Sequence, residues 1–190
     1  MEPTSPVTLR GTHASLEPLA PSHAAELADA ARDGELWKLW YTTVPSPDTM
    51  EREIARRLGL HAQGAMLPFT VRAADGRAVG MTTYLNIDAT HRRVEIGATW
   101  YARRVQRSAL NTECKLMLLT HAFDTLECIA VEFRTHFMNT QSRRAIERLG
   151  VKLDGILRNH LRASDGTLRD TAVYSIIQSE WPTVRSHLRW

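Results

Sequence analysis

The sequence predicts one α+β domain with a mixed, mostly antiparallel sheet of six or seven strands, a central parallel pair and helices on both faces. Three observations support this prediction. Short strand-like runs are joined by turn residues, which is typical of antiparallel hairpins. One apolar helix connects two strand-like runs, which predicts a parallel pair with a right-handed crossover. The 190 residues contain no repeat, linker or low-complexity tract, so residues 1–190 are treated as a single domain.

The composition is that of a globular protein. Hydrophobic residues make up 43% of the chain and charged residues 24%. No apolar run approaches the roughly 18 residues of a membrane helix, and the N-terminus lacks the basic and apolar regions of a signal peptide. We therefore expect a cytoplasmic protein with no membrane partner. Cys114 and Cys128 are too few for a disulfide framework or a metal cluster, so no metal is expected.

The charge balance favours an anionic ligand. The chain has 24 Lys and Arg residues against 21 Asp and Glu residues, and arginine is much the commoner cation. Arginine pairs with phosphate through a planar fork of donors. Nucleic acid is not expected as a partner, because no basic run is interleaved with aromatic residues.

The first third of the chain predicts a hairpin followed by two helices. Apolar and polar residues alternate on either side of Gly11, which predicts a first strand or hairpin. Pro21 begins a helix that reaches about Ala31, because apolar residues recur there at helical spacing. Ser46, followed by proline and aspartate, begins a second helix that ends before Gly64.

Three aromatic residues lie between these two helices. Trp37, Trp40 and Tyr41 are spaced i, i+3 and i+4, which predicts that they share one face of a helix. Such a face packs into a core or lines a substrate cleft, and the sequence leaves both interpretations open.

The middle of the chain predicts three antiparallel strands and then a strand–helix–strand unit. Asp75 and Gly76 form the turn of the first hairpin, and a strongly apolar helix precedes the last strand. The predicted strands are residues 68–73, 78–86, 92–101 and 128–136, and the predicted helix is residues 112–126.

The C-terminal third predicts a helix, a hairpin and a short closing helix. Asn139 is placed to cap the first of these helices, and Gly150 is placed just beyond its end. The closing helix starts near Glu180. The hairpin strands are residues 151–162 and 169–177, joined by a turn at residues 164–167.

A basic loop connects the third strand to the apolar helix. Arg103, Arg104 and Arg107 lie in this loop, directly before the predicted helix start at Asn111 or Thr112. The first backbone N–H groups of a helix have no internal partner, and the helix dipole favours negative charge there. The loop is therefore a candidate pyrophosphate site. A solvated connection with surface arginines remains the alternative.

Two segments together carry a family resemblance. The first is Gln106-Arg-Ser-Ala-Leu-Asn111 in the loop, and the second is Asn139-Thr-Gln-Ser142-Arg-Arg-Ala-Ile-Glu-Arg-Leu-Gly150 after the next strand. The chain resembles the GNAT superfamily of acyl-CoA-dependent N-acyltransferases. It is similar in particular to the branch that acetylates the N-termini of ribosomal proteins. The similarity lies in its opening Leu9-Arg-Gly and in the amino-acid sequence of its C-terminal hairpin.

The resemblance implies direct transfer of an acyl group from a coenzyme A thioester to a primary amine. The implied cosubstrate is acetyl-CoA, the implied acceptor is a protein N-terminus or a small amine, and no metal takes part. The family's pyrophosphate loop reads R/Q-x-x-G-x-G/A. Gln106 fits the first position, whereas Ala109 and Asn111 replace glycines.

By resemblance, three segments contact coenzyme A: the end of the third strand, the loop with the helix start, and the cap of the later helix. The residues are Thr99, Trp100, Tyr101, Gln106, Arg107, Ser108, Ala109, Leu110, Asn111, Thr112, Asn139, Ser142 and Arg143. Arg143 has an alternative role in a surface salt bridge with Glu147.

Candidate catalytic groups are few. Glu95 lies on the strand that would carry the thioester and is the first candidate for the general base that deprotonates the amine. Its alternative is a charge at the solvent end of the strand or a structural ion pair with Arg92 or Arg93. His136 is the second candidate, with a capping or core role as its alternative. Many relatives place a tyrosine as the acid for the thiolate where this chain has Ile146, so that role is vacant.

The acceptor side is the least determined part of the site. The residues predicted to line it are Trp37, Trp40, Tyr41 and His160. Because arginines lie near the cleft, succinyl-CoA remains an alternative acyl donor. A non-catalytic acyl-CoA sensor is the rival interpretation. A homodimer through the C-terminal hairpin or the tryptophan-rich segment is compatible with this fold.

Overall fold

Eight strands form one sheet, in a computed structural model that describes residues 2–163 and 165–190. The strand order is β1-β2-β3-β4-β5-β6-β8-β7. The strands are β1 Leu9–Arg10, β2 Ala14–Pro18, β3 Leu67–Ala73, β4 Ala78–Asp88, β5 Arg93–Tyr101, β6 Ala130–His136, β7 Lys152–Arg162 and β8 Leu168–Ile177. The α+β prediction is confirmed. The sheet has eight strands rather than the expected six or seven, because the segment around Gly11 forms a two-stranded hairpin rather than a single strand.

Five α-helices in the described part of the chain pack against this sheet. They are α1 Ala24–Arg32, α2 Met50–Ala62, α3 Ala109–Thr120, α4 Thr140–Glu147 and α5 Trp181–Arg189. One core lies between the sheet and α3 and α5, around Leu118, Phe133 and Trp181. A second core lies on the opposite face, where Leu27 of α1 and Ile54 of α2 cover the sheet. Helices therefore lie on both faces, as predicted.

Helix α3 begins earlier than the sequence predicted. Ser108 is the N-cap residue, and its Oγ accepts a hydrogen bond from the Leu110 N–H at 3.3 Å. The helix therefore starts at Ala109 rather than at Asn111 or Thr112, since serine is a better cap than the apolar residues beside it. A π-helical turn, His121–Thr125, continues it into the loop before β6.

The aromatic segment is not the helix that its spacing predicted. Only Leu36–Lys38 forms a single 3₁₀ turn, and Trp40 and Tyr41 lie beyond it in an irregular stretch. Glu35 has a φ of 49°, so the chain turns sharply just before these residues. Three residues are too few to start a stable α-helix without a packed face.

The C-terminal hairpin and the closing helix are present as predicted. Gly150 takes a φ of 86° after α4, which suits a glycine beyond a helix end. Of the turn predicted at residues 164–167, Ser164 lies outside the described residues. Among the helices that the structure describes, none has the length and apolar character needed to cross a membrane.

Candidate functional site

A cleft opens where the parallel strands β5 and β6 diverge. The two strands pair only at Arg93↔Ala130, Val94↔Val131 and Glu95↔Glu132. Beyond Glu95, β5 continues to Tyr101 and β6 to His136 without pairing to each other. The edge of β5 that faces the cleft therefore keeps free backbone donors and acceptors, and an extended ligand can pair with them as a strand would.

An irregularity in β5 lies just inside this cleft. Ala98 has a φ of 47°, and the pairing of β5 with β4 shifts register between Met81 and Thr83. A left-handed non-glycine residue in a strand is typical of a bulge, and bulges often re-aim groups beside functional sites. The bulge redirects the backbone directly after Glu95 and Gly97.

The basic loop lies at the open end of the cleft. The backbone N–H groups of Arg107, Ser108 and Ala109 donate to no other residue in the described part of the chain. The side chains of Arg103 and Arg107 are exposed and make no ion pair with any described carboxylate, whereas Arg104 pairs with Asp33 at 3.1 Å. Free donors, a helix N-terminus and two unpaired guanidinium groups together suit a pyrophosphate.

Gln106 holds the base of this loop. Its Nε2 donates to the Tyr101 carbonyl at 2.9 Å, which ties the loop to the end of β5. Arg107 takes a φ of 59°, so the chain turns there before the cap at Ser108. Thr99, Trp100 and the loop thus follow one another along one wall of the cleft, in the order that the sequence predicted.

Two of the predicted contacts on the opposite wall have structural partners. Asn139 caps α4, and its Oδ1 accepts from the Ser142 N–H at 3.0 Å. Arg143 donates through Nε to the Tyr174 hydroxyl at 2.9 Å and lies over the Phe137 ring at 4.7 Å. Arg143 is therefore fixed to the body of the protein, and its distance to Glu147 is a longer 3.9 Å.

Glu95 lies at the apex of the cleft, on the face of the sheet away from α3. Its side chain is buried, and Oε2 accepts a hydrogen bond from Asn86 Nδ2 at 2.7 Å. Burial raises the pKa of this carboxyl above its ordinary value, against the lowering influence of Asn86 and Arg134. The predicted ion pair with Arg92 or Arg93 does not form, since those arginines pair with Glu127 and Glu132. Glu95 pairs instead with Arg134, whose Nε lies 3.5 Å from Oε2.

A pocket of about 440 Å³ adjoins the Glu95 carboxyl. Glycine at position 97 keeps the space beside that carboxyl open, because a Cβ there would lie 2.9 Å from Glu95 Oε1. The pocket mixes acidic and basic side chains. Its lining comprises Asn86, Asp88, His91, Arg93, Val94, Glu95, Ile129, Glu132 and Arg134.

His136 has a fixed tautomer. Its Nδ1 accepts a hydrogen bond from the Met138 N–H at 3.0 Å, so the neutral ring carries its proton on Nε2. Burial is the largest influence that lowers the pKa of this imidazole, and the charge of Arg169 adds to it. The free ring nitrogen, Nε2, is therefore a donor without a lone pair to accept a proton. Glu95 is for this reason the better candidate for the base.

Three of the four predicted acceptor residues lie near His136. The Trp40 ring packs edge-on against the His136 ring at 5.2 Å and against Tyr41 at 5.5 Å. His160 Nδ1 lies 3.1 Å from the Thr171 hydroxyl, and Thr171 is the cross-strand neighbour of His136. Trp37 differs, since its ring lies under the Lys38 ammonium at 6.0 Å.

Two charged residues of the cleft were missed by the sequence analysis. Lys115 of α3 is only 6% exposed, and Arg169 of β8 has a buried Nε without a hydrogen-bond partner among the described residues. Lys115 was hidden within an apolar helical stripe, and a lone lysine in such a stripe was a usable signal. Arg169 carried no local signal, because its place depends on the pairing of β8 with β6.

The remaining reactive groups have structural explanations. Burial raises the pKa of the Cys114 thiol to about 12, so this cysteine is neutral and poorly nucleophilic. Within residues 2–163 and 165–190, no cluster of His, Cys, Asp and Glu side chains is arranged to hold a metal ion.

The fold and the cleft agree with what comparison with known proteins finds. The acetyltransferase (GNAT) domain family matches residues 14–152. The chain belongs to this family.

Individual relatives of this chain are also named as N-acetyltransferases. A Bacillus subtilis (strain 168) protein named "Putative ribosomal N-acetyltransferase YdaF" is 33% identical over 107 residues, which is 56% of this chain and 57% of that protein. The match thus spans less than two thirds of that relative's length. A GCN5-related N-acetyltransferase structure from Brucella melitensis is 28% identical with a TM-score of 0.87, covering 100% of this chain and 86% of the other.

A third comparison concerns the fold alone. The structure of Mycobacterium smegmatis RimJ in complex with CoA-disulfide is 22% identical, with a TM-score of 0.84, and covers 100% of this chain and 96% of the other. The overall fold is therefore shared across nearly the whole of both chains.

Proposed function

We propose that this chain transfers an acetyl group from acetyl-CoA to a primary amine, with a protein N-terminus or a small amine as acceptor. The observation that carries the proposal is the divergence of β5 and β6 next to a helix start where the N–H groups of Arg107, Ser108 and Ala109 have no partner among the described residues. The cleft has room for an extended arm, and the loop has donors and charge for a pyrophosphate. These are the two parts of coenzyme A that a transferase must hold.

The chemistry follows from the groups along the cleft. Backbone N–H groups on the free edge of β5, between Gly97 and Tyr101, polarise the thioester carbonyl. Glu95 takes the proton of the attacking amine, either directly or through a water molecule. Its raised pKa makes it a better base than an exposed carboxylate. Positioning of the two reactants supplies much of the acceleration.

The acceptor approaches from the face opposite α3. That face carries Glu95, the pocket beside it, and the Trp40, Tyr41 and His160 side chains around His136. The name of the Bacillus subtilis relative makes the N-terminus of a ribosomal protein a sensible first acceptor to assay. Trp40 is 64% exposed and offers an apolar surface to a side chain of the acceptor.

The test has two stages. Thermal unfolding is followed with coenzyme A, acetyl-CoA and succinyl-CoA, because a ligand that binds the folded state raises Tm by mass action. Free-thiol release is then measured with each thioester against small amines and N-terminal peptides. We expect a Tm increase with all three ligands and thiol release with acetyl-CoA and at least one amine.

Two outcomes contradict the proposal. A Tm increase without thiol release across the panel favours an acyl-CoA sensor. The absence of any Tm increase means that Ala109 and Asn111 do not support a pyrophosphate site. Faster release with succinyl-CoA than with acetyl-CoA corrects the donor and leaves the transferase intact.

A further inference from the structure

Lys115 lies beneath the cleft, on the face of the sheet that packs against α3. Its Nζ donates to the Thr99 hydroxyl at 2.8 Å, and the Phe133 ring centroid is 6.0 Å away. Thr99 belongs to the diverging part of β5, and Phe133 directly follows the last residue of β6 that pairs with β5. The ammonium therefore lies within reach of both strands in the region where they diverge.

This ammonium is almost without partners. An ammonium has three donors, and Thr99 is the single acceptor that the described residues provide within hydrogen-bond distance. No described carboxylate forms an ion pair with it, although the residue is only 6% exposed. The Thr99 hydroxyl also contacts the Thr82 hydroxyl at 2.8 Å, so the chain of contacts ends in neutral groups. A buried and under-satisfied charge of this kind calls for a further acceptor.

We propose that Lys115 donates a proton to the thiolate of coenzyme A as it leaves. The inference rests on the transferase function proposed above. Glu95 and Lys115 then lie on opposite faces of the sheet at the same cleft, with the thioester between them. This residue would fill the role that the sequence left vacant at Ile146, which is buried in the core.

The proposed transfer moves one proton to Glu95 and one proton from Lys115. The amine nitrogen bonds to the thioester carbonyl carbon, and its extra proton passes to the Glu95 carboxylate. The carbon–sulfur bond breaks, the sulfur keeps the electron pair, and it takes a proton from Lys115 Nζ. Glu95 ends protonated and Lys115 ends neutral, and exchange with solvent restores both groups.

The surroundings of Lys115 favour proton transfer at ordinary pH. Burial lowers the pKa of this ammonium to about 8, close to the range in which a thiol titrates. The titratable group that acts on this ammonium is Cys114 on the same helix, and Cys114 in turn contacts Tyr101 of β5. Burial raises the pKa of both Cys114 and Tyr101, so they stay neutral. Thr82, Thr99 and Phe133 supply no charge.

The first test observes the lysine without turnover. The chain has three lysines, Lys38, Lys115 and Lys152, so protein labelled with ¹³C at lysine Cε gives three resonances. The two exposed lysines are internal references. We expect Lys115 to titrate near pH 8 and its midpoint to move with coenzyme A but not with desulfo-coenzyme A. Equal shifts with both ligands, or none, overturn the inference, because the sulfur then has no contact with Nζ.

The second test uses variants. In K115M, methionine keeps the apolar stem and removes the proton donor, and we expect kcat to fall roughly 100-fold while the Kd of coenzyme A stays within about twofold. K115R keeps the charge but cannot release a proton, so it is expected to be similarly slow. The matched control is K152M, which removes a surface lysine that is paired with Glu180.

The results separate this inference from the proposed function. Thiol release by the wild type with full activity in K115M overturns the role of Lys115 and leaves the transferase standing. Full activity in K115R shows that charge alone suffices, which also overturns proton donation. A K115M variant that loses coenzyme A binding places Lys115 in binding rather than in proton transfer.

Discussion

At the scale of single residues, the site is defined by two buried charges on opposite faces of one sheet. Glu95 has a raised pKa and Lys115 a lowered one, and in both cases burial is the largest cause. Each ionised group is destabilising for the folded state and useful for proton transfer near neutral pH. Removing either charge should therefore lower activity and raise stability together.

The variant E95Q tests whether removing the charge of Glu95 lowers activity and raises stability. We expect roughly a 100-fold loss of kcat, because the amine loses its base. Since the folded pKa of Glu95 lies above the unfolded value of 4.5, the wild type is disfavoured once pH rises through the folded pKa. E95Q should therefore be more stable than the wild type at pH 7, with the difference vanishing below pH 4.5.

Urea unfolding at several pH values measures this difference. The control is E127Q, which alters an exposed carboxylate paired with Arg92 at 3.3 Å and should change neither stability nor kcat appreciably. A fully active E95Q would exclude Glu95 as the base.

The stability of K115M tests whether the buried charge of Lys115 destabilises the folded protein. The pKa of Lys115 is about 8 in the folded protein against 10.5 as the ordinary value, so the unfolded chain binds more protons between these pH values. Wild-type stability should rise from pH 8 to 10.5 relative to K115M. The advantage of K115M below pH 8, on the order of 3 kcal/mol, should shrink over that range. A constant difference between the two proteins would contradict a buried ammonium.

At the scale of elements, β5 brings the site together. Its first part pairs with β6, its bulge at Ala98 turns the backbone, and its end is tied to the basic loop by Gln106. Gly97 lies between Glu95 and this bulge. A Cβ at that position would lie 2.9 Å from both Glu95 Oε1 and Leu85 Cδ1. The glycine therefore leaves space for the base rather than serving a turn.

The variant G97A should be less active and less stable than the wild type. Overpacking typically costs about 1–3 kcal/mol, and the displaced Glu95 carboxyl should lower kcat more than the KM of acetyl-CoA. The control is G59A, because a Cβ on Gly59 of α2 meets nothing within 4 Å. That variant should gain roughly 0.5–1 kcal/mol from helix propensity. Thermal unfolding and thiol release measure both, and a neutral G97A would contradict the packing described.

The sequence predicted elements better than it predicted their surroundings. The strand–loop–helix unit was readable because apolar periodicity and capping residues are local signals. Spacing alone failed for Trp37, Trp40 and Tyr41, where no packed helix face supports the pattern. Lys115 and Arg169 were missed because their meaning depends on strand divergence and on the pairing of β8 with β6, which are non-local.

At the scale of the whole molecule, the β7–β8 hairpin leaves an apolar edge uncovered. Leu153 is 50% exposed, Leu157 40%, Leu161 47% and Leu168 51%, and β7 is the last strand of the sheet. Exposed edge strands with apolar side chains tend to pair, and an edge meeting a second copy of itself gives a closed two-fold dimer. We propose a homodimer through this hairpin.

Light scattering coupled to size-exclusion chromatography tests the dimer. We expect the mass of two chains at micromolar concentration, and the mass of one chain for L157K, which places a charge in the proposed interface. The control W190K places the same charge on a fully exposed apolar residue just beyond α5, outside the hairpin. A wild type that elutes as one chain would rule out this dimer.

Calorimetric titration of acetyl-CoA into the wild type, A109D and T183D tests most directly whether the start of α3 binds the pyrophosphate. Aspartate at the exposed Ala109 position suits a helix N-terminus but repels a phosphate. T183D adds the same charge to the first turn of α5. We predict unchanged or higher Tm for both variants without ligand, at least roughly tenfold weaker binding for A109D, and wild-type affinity for T183D. Equal affinity for all three proteins would contradict a pyrophosphate site at the start of α3.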